Sequence, residues 1–136
     1  MHQRTQFSRA ILTKNNKVLL LEMAGESPRY ILPGGHVESD ETPDDALLRE
    51  VLEETSISVI SFIKLGVFPK PKKLEDVHVY FVDKYVGEVQ LNEESMGYVW
   101  VDMTSEQELQ KYDIRPLHLD YLRLAIDKLQ VGVSDA

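Results

Sequence analysis

The stretch from Gly35 to Ile57, GHVESDETPDDALLREVLEETSI, determines how the rest of the chain is interpreted. Thr42 is a good helix N-cap, and Pro43 suits the first helical position because no N–H is needed there. Asp45 stands where the acid of a capping box belongs, and it also complements the positive end of the helix dipole. These signals predict a helix that begins at about Pro43 and ends at about Thr55.

Three acids, Glu50, Glu53 and Glu54, fall within about 100° of one another on this helix. Another face carries an apolar stripe expected to face the core: Leu47, Leu48, Val51, Leu52 and Thr55. Like charges three or four residues apart weaken a helix by roughly 0.2–0.5 kcal/mol per pair, so the acidic face needs a partner. A hard dication with oxygen ligands is a suitable one.

A glycine-rich segment precedes the helix. Pro33-Gly34-Gly35 allows the backbone to turn sharply and to approach a ligand closely, and it can offer a carbonyl to the same metal. A bend of this kind leading to carboxylates on a helix predicts a site for magnesium and a polyphosphate together.

The remaining pattern predicts mostly strands. Asn15 and Asn16 tolerate positive φ, so they predict a tight hairpin turn between the first two strands. Strands are predicted at Phe7–Thr13, Val18–Met23, Tyr30–Leu32, Ile57–Phe68, Val77–Val86 and Tyr98–Val101. A lysine-rich loop is predicted at Pro69–Asp76.

Two further helices are expected near the end of the chain. Ser105 is placed to cap a short helix to about Gln110, and Pro116 to begin a last helix that ends at about Leu129. Its apolar face is predicted to carry Leu117, Tyr121, Leu124 and Ile126 or Leu129. The order of elements predicts an α/β/α sandwich around a mixed β-sheet, in a single domain over residues 1–136.

Composition narrows the possible functions. The chain has 136 residues and a net charge of −8, which argues against binding to polymeric nucleic acid. The absence of cysteine excludes disulfides, thiolate metal sites and a cysteine nucleophile. No apolar stretch reads as a signal peptide or as a membrane span, so no membrane partner and a cytoplasmic location are expected. Nothing in the sequence distinguishes a monomer from a homodimer.

The central stretch resembles the Nudix box of the MutT-like Nudix hydrolases. That pattern is Gly, five residues, Glu, seven residues, Arg-Glu, an aliphatic residue, any residue, Glu-Glu, any residue, Gly and an aliphatic residue. The matching positions are Gly35, Glu41, Arg49, Glu50, Val51, Glu53, Glu54 and Ile57. Ser56 departs from it, standing where the family has glycine, and altered geometry is expected at the end of the helix. The acidic segment before Trp100 is also similar to one found in the family.

The resemblance implies a role for each candidate residue. Glu50, Glu53 and Glu54, with the Gly34 carbonyl, are expected to hold Mg²⁺, for which Mn²⁺ is a possible substitute, and so to form the catalytic centre. Arg49 is expected to orient these carboxylates, Glu41 to support them, and Glu93 or Glu94 to act as general base or extra ligand. The residues expected to contact a nucleotide substrate are Arg29, Tyr30, Gly35 and Lys72.

Alternative interpretations remain open. The resemblance implies hydrolysis of a phosphoanhydride bond in a nucleoside diphosphate linked to a group X, as in a nucleoside triphosphate, ADP-ribose or a nucleotide sugar. A catalytically weak Nudix fold that senses a nucleotide is a second hypothesis, and a structural subunit with relic carboxylates is a third. Solvated surfaces are the competing explanation for the acidic helix and the lysine loop.

Overall fold

The computed structural model describes residues 3–93 and 95–129. Within these ranges the chain forms seven strands and three helices. The strands are β1 (Thr5–Lys14), β2 (Lys17–Met23), β3 (Arg29–Ile31), β4 (Gly34–His36), β5 (Ser58–Pro69), β6 (Glu75–Val86) and β7 (Tyr98–Asp102). The helices are α1 (Pro43–Thr55), α2 (Glu106–Lys111) and α3 (Pro116–Leu129).

The strands form a mixed sheet, as predicted. Its order is β3-β2-β1-β6-β5, with β4 paired to β1 and β7 paired to β2. The β1–β6 pair is parallel, and the other pairs are antiparallel. The predicted turn between β1 and β2 is confirmed, since Asn15 and Asn16 have φ of 53° and 65°.

The core lies on both faces of the sheet. Neighbouring residues of a strand point to opposite faces, and in β1 Ile11 joins the cluster that includes Tyr121 and Leu122 of α3. Ala10 and Leu12 instead join the cluster that includes residues of α1. Helices therefore cover the two faces of one sheet, which confirms the predicted sandwich architecture. None of the helices in the described ranges combines the length and the apolar character that crossing a bilayer requires.

The predicted bounds of α1 are confirmed, and so is its capping box. The Thr42 side chain accepts from the Asp45 N–H at 3.1 Å, and the Thr42 N–H donates to the Asp45 carboxylate at 3.5 Å. Ser56 adopts the left-handed conformation with φ 66°, and its N–H donates to Leu52 O at 3.0 Å. The expected change at the helix end is therefore not seen, because serine takes the conformation for which glycine is favoured.

Two details of the sequence-based prediction were wrong, and a third was incomplete. On α1, Leu48 and Leu52 are 38% and 50% exposed, because Ala46 with Leu47, Val51 and Thr55 fills the narrower buried stripe. On α3 the predicted core contacts of Leu117, Tyr121, Ile126 and Leu129 are confirmed, but the fully buried residues also include His118, Leu122 and Ala125, which were not predicted. The glycine segment is not a free bend, because Gly34–His36 forms β4 and pairs with Phe7–Arg9 of β1.

Candidate active site

Two of the three predicted acids lie directly against the glycine segment. The Gly34 N–H donates to Glu54 Oε1 at 2.7 Å. The Glu50 carboxylate lies over Gly35 so closely that a Cβ there would meet its atoms at 2.8 Å. At Gly34, φ is 143°, and a Cβ would overlap the Ser8 carbonyl of β1. A Cβ at Gly35 would therefore displace the Glu50 carboxylate, and a Cβ at Gly34 would displace the backbone of β1.

Arg49 joins the acidic side chains into a network. It donates to Glu41 through Nη2 at 2.6 Å and through Nε at 3.0 Å, a bidentate pair. Its Nη1 donates to Glu50 at 3.0 Å and to Glu53 at 3.3 Å. Its Nη2 also donates to the His36 carbonyl at 3.0 Å, next to the glycine segment. The Arg49 guanidinium lowers the pKa of Glu41 to about 2.

A single arginine does not neutralise this many carboxylates. Glu54 makes no ion pair with Arg49 in the described chain, and burial raises its pKa to about 7, with repulsion from Glu50 and Glu53 adding to the effect. As the side chains stand, no three acids or histidines among residues 3–93 and 95–129 are grouped closely enough to hold a metal ion. The donors that face one another here are nonetheless carboxylate oxygens, which fit a hard divalent cation.

These acids border a cleft of about 360 Å³. The residues lining it are Leu21, Glu22, Met23, Ala24, Ile31, Glu50, Glu53, Glu54, Asn92 and Ser95. We call it the acidic cleft. The sequence-based prediction did not include Glu22 among the site residues, although a charged residue directly after the apolar run VLLL was a usable signal. Its carboxylate fills the space beside Gly97, where a Cβ would lie 2.6 Å from Glu22 Oε2.

Arg9 is a second site residue that the sequence-based prediction did not include. It lies opposite Gly34 in the β1–β4 register, and its Nη1 donates to the Leu32 carbonyl at 3.0 Å. Its positive charge acts on Glu54 and lowers the pKa of that carboxyl, against the dominant effect of burial. Arg9 thus supplies positive charge from the sheet side, where Arg49 does not reach. A lone arginine within an apolar strand was its only sequence signal.

Asn92 lines the acidic cleft and ends a segment, 88–92, that docks on the end of α1. The Gln90 N–H donates to Thr55 O at 2.8 Å, and Ser56 Oγ donates to Gln90 O at 2.9 Å. Asn92 Nδ2 donates to the Glu53 carbonyl at 3.1 Å. Glu93 follows in an exposed turn, and Glu94, the other predicted base, lies outside the described residues.

The predicted nucleotide contacts are not all brought to this cleft. Gly35 lies under Glu50, but Arg29, Tyr30 and Lys72 are not among the lining residues. Arg29 Nε lies 3.5 Å from Asp113 Oδ2, and the Tyr30 ring packs edge-on against the Tyr112 ring with 5.3 Å between the ring centroids. Lys72 borders a separate, apolar hollow of about 300 Å³ together with Lys70, Pro71, Lys73 and Leu117. Their roles in binding substrate stay predictions.

Known proteins give an independent comparison. A family model described as the NUDIX domain matches residues 3–123. A putative 8-oxo-dGTP diphosphatase of Bacillus subtilis is 32% identical over 98 residues, 71% of this chain and 66% of that protein. An ADP-ribose pyrophosphatase of Methanocaldococcus jannaschii is 29% identical over 119 residues, 83% of this chain and 70% of that protein. The chain thus spans about two thirds of the length of these relatives.

Solved structures share the fold. The solution structure of the Escherichia coli ORF135 protein aligns with a TM-score of 0.78 at 24% identity and covers 96% of each chain. A MutT Nudix hydrolase from Burkholderia pseudomallei aligns with a TM-score of 0.76 at 20% identity, over 91% of this chain and 98% of its own. The family match shows that the chain belongs to the Nudix hydrolases, enzymes that act on phosphoanhydride bonds with the help of divalent cations.

Proposed function

We propose that this protein is a Mg²⁺-dependent pyrophosphohydrolase that cleaves a phosphoanhydride bond in a nucleoside diphosphate linked to a group X. The observation that carries the proposal is the convergence of Glu50, Glu53 and Glu54 on one cleft beside Gly34 and Gly35. Mn²⁺ is expected to substitute for Mg²⁺, because the donors are oxygens. A cytoplasmic location fits a nucleotide substrate.

The residues that hold the cation in this proposal are Glu50, Glu53 and Glu54, with the Gly34 carbonyl. When bound, Mg²⁺ supplies charge neutralisation for the diphosphate and makes water a better nucleophile. Arg49 fixes the rotamers of Glu50 and Glu53 through its hydrogen bonds to both. The Gly34 N–H holds Glu54 in the same way, and the three carboxylates would close further on one another to hold the ion together.

A carboxylate outside the metal set can accept the proton of the attacking water. Glu22 lines the cleft, and Glu93 with Glu94 follows Asn92, which also lines it. The general base is therefore expected among these three acids. Comparison of Glu22→Gln, Glu93→Gln and Glu94→Gln in the pH dependence of kcat/KM identifies it, since only loss of the base removes the acidic limb.

The named relatives give candidate substrates. They include an 8-oxo-dGTP diphosphatase, an ADP-ribose pyrophosphatase and a human diphosphoinositol polyphosphate phosphohydrolase that is 26% identical over 129 residues. Nucleoside triphosphates, oxidised ones included, are our first candidates, followed by ADP-ribose and nucleotide sugars.

The test is a screen of these compounds with Mg²⁺, in which products are resolved by mass. We expect Glu53→Gln and Glu54→Gln each to lower turnover by about 10²-fold or more while the fold survives, because each removes negative charge that holds the cation. Asp127→Asn, an exposed change on α3, is the matched control. Near-wild-type activity of both cleft variants contradicts the assigned roles. Metal-dependent nucleotide binding without any product favours a sensor instead.

A further inference from the structure

A second cavity lies beyond the end of α1 and shares no lining residue with the acidic cleft. Its volume is about 440 Å³, within the usual range for small-ligand sites. Its lining residues are Lys14, Ile57, Tyr85, Gly87, Glu88, Val89, Tyr98 and Trp100. An adjoining hollow of about 310 Å³ is lined by Lys14, Asn15, Lys17 and Trp100. We call the two together the aromatic cavity.

Aromatic side chains supply flat apolar surface in this cavity. Tyr98 and Trp100 are two residues apart on β7, so their side chains project from the same face of the sheet. Tyr98 is 43% exposed, and Trp100 is only partly buried against the cluster that includes α1. Tyr85 lines the cavity as well. Exposed aromatic faces of this kind suit a planar ring, because a base stacked on one is stabilised by about 1–3 kcal/mol.

Two lysines of the β1–β2 hairpin, Lys14 and Lys17, also line the aromatic cavity. Lys14 and Lys17 are register partners, and Lys17 also lies opposite Asp102. In the described part of the chain no acid forms an ion pair with Lys14. The ammonium group of Lys14 is thus available to an anion, although the chain as a whole carries a net charge of −8. Glu88, which also lines the cavity, is an acceptor for hydroxyl or amino groups.

A ligand that fits these residues has a planar ring for the aromatic side chains, a single anionic group for Lys14 and hydrogen-bond donors for Glu88. We propose that the aromatic cavity binds a nucleoside monophosphate, with its base against Trp100 and Tyr98 and its phosphate at Lys14. Such a ligand is one class of product expected from the proposed reaction, but its binding here requires neither that reaction nor a metal ion. The segment 88–92 lies between the two sites, since Glu88 and Val89 line one and Asn92 lines the other.

The chain provides its own reporter for this site. Trp100 is the only tryptophan among the 136 residues, so a single indole N–H resonance and a single emission band report on the cavity. AMP, adenosine and inorganic phosphate are titrated into the full chain in the presence of EDTA, which removes divalent metal. We expect AMP to shift the indole resonance in a saturable manner and adenosine to bind about tenfold more weakly.

Variants separate this proposal from the proposed function. Lys14→Ala is expected to weaken AMP binding about tenfold, and Tyr98→Ala to weaken it by a similar factor. Lys84→Ala, an exposed lysine that does not line the cavity, is the matched control, and Glu53→Gln should leave binding unchanged. Circular dichroism verifies that each variant is folded. No indole shift at millimolar AMP, equal affinity for adenosine, an unchanged affinity in Lys14→Ala, or loss of binding in Glu53→Gln overturns the proposal.

Discussion

The contact between Gly35 and Glu50 allows one prediction to be worked out in detail. An alanine Cβ at Gly35 would lie 2.8 Å from the Glu50 carboxylate, whereas an ordinary contact distance is about 3.5 Å. The carboxylate must therefore move by about 0.7 Å or more. It can do so because it is the end of a flexible side chain, and Gly35 does not have a positive φ. The main chain is expected to keep its conformation.

The expected loss is therefore one of activity rather than of stability. A displacement of about 1 Å in a reacting group can cost about 10²-fold in rate, so Gly35→Ala should lower kcat/KM by about 10- to 10²-fold. Its free energy of unfolding should change by less than about 1 kcal/mol. The Mn²⁺ affinity, measured by the relaxation of water protons, should fall as well, because Glu50 is displaced.

Gly34→Ala gives the contrasting case. Here the Cβ would overlap the Ser8 carbonyl and lie 2.9 Å from Arg9 Cα, both backbone atoms of β1. Because backbone cannot yield as a side chain does, the free energy of unfolding should fall by about 3 kcal/mol or more. Urea unfolding of both variants, together with steady-state kinetics on the best substrate of the screen, makes the comparison. Wild-type kinetics and Mn²⁺ affinity in Gly35→Ala would refute the reasoning.

Three other variants test local features. Burial lowers the pKa of His118 to about 2, so the stability that its neutral ring provides is full above about pH 6.5 and falls below it, by up to about 1.4 kcal/mol per pH unit. Between about pH 7 and about pH 5, the free energy of unfolding measured with urea should therefore fall less in His118→Gln than in the wild type. An equal fall in the two proteins would contradict this. Arg49→Lys should lower kcat/KM by about tenfold or more and raise the Mg²⁺ concentration needed for half-maximal rate, because lysine cannot replace the bidentate bond to Glu41; an unchanged Mg²⁺ dependence argues against a positioning role. Ser56→Val should unfold about 1–2 kcal/mol more easily than Ser56→Gly, since φ is 66° there, and equal thermal melts would rule out this strain.

Local signals in the sequence predicted most of the fold. The bounds of α1 followed from Thr42, Pro43 and Asp45, because a capping box acts within a few residues. The hairpin followed from Asn15 and Asn16 for the same reason. Strand β4 was not predicted, because glycines have low strand propensity and the pairing with β1 depends on residues distant in sequence.

The site was predicted in part. The three glutamates and Arg49 share one face of a helix, and helical periodicity alone brings them together. Glu22 and Arg9 reach the same region only through the pairing of β2 with β7 and of β1 with β4, which no local pattern reveals. The exposure of Leu48 depends likewise on how α1 packs in the assembled fold, which no local pattern reveals.

The incorporation of Gly34–His36 into the sheet has a consequence for how the acidic cleft opens. The backbone on that side is hydrogen-bonded to β1, which is bonded in turn to β6, so amide protons of β4 should exchange slowly with deuterium. The opposite wall, at Asn92 and Ser95, belongs to no strand or helix. Widening of the entrance for a bulky group X therefore falls to that wall, and sequence changes that alter which groups are admitted should accumulate there rather than beside the glycines.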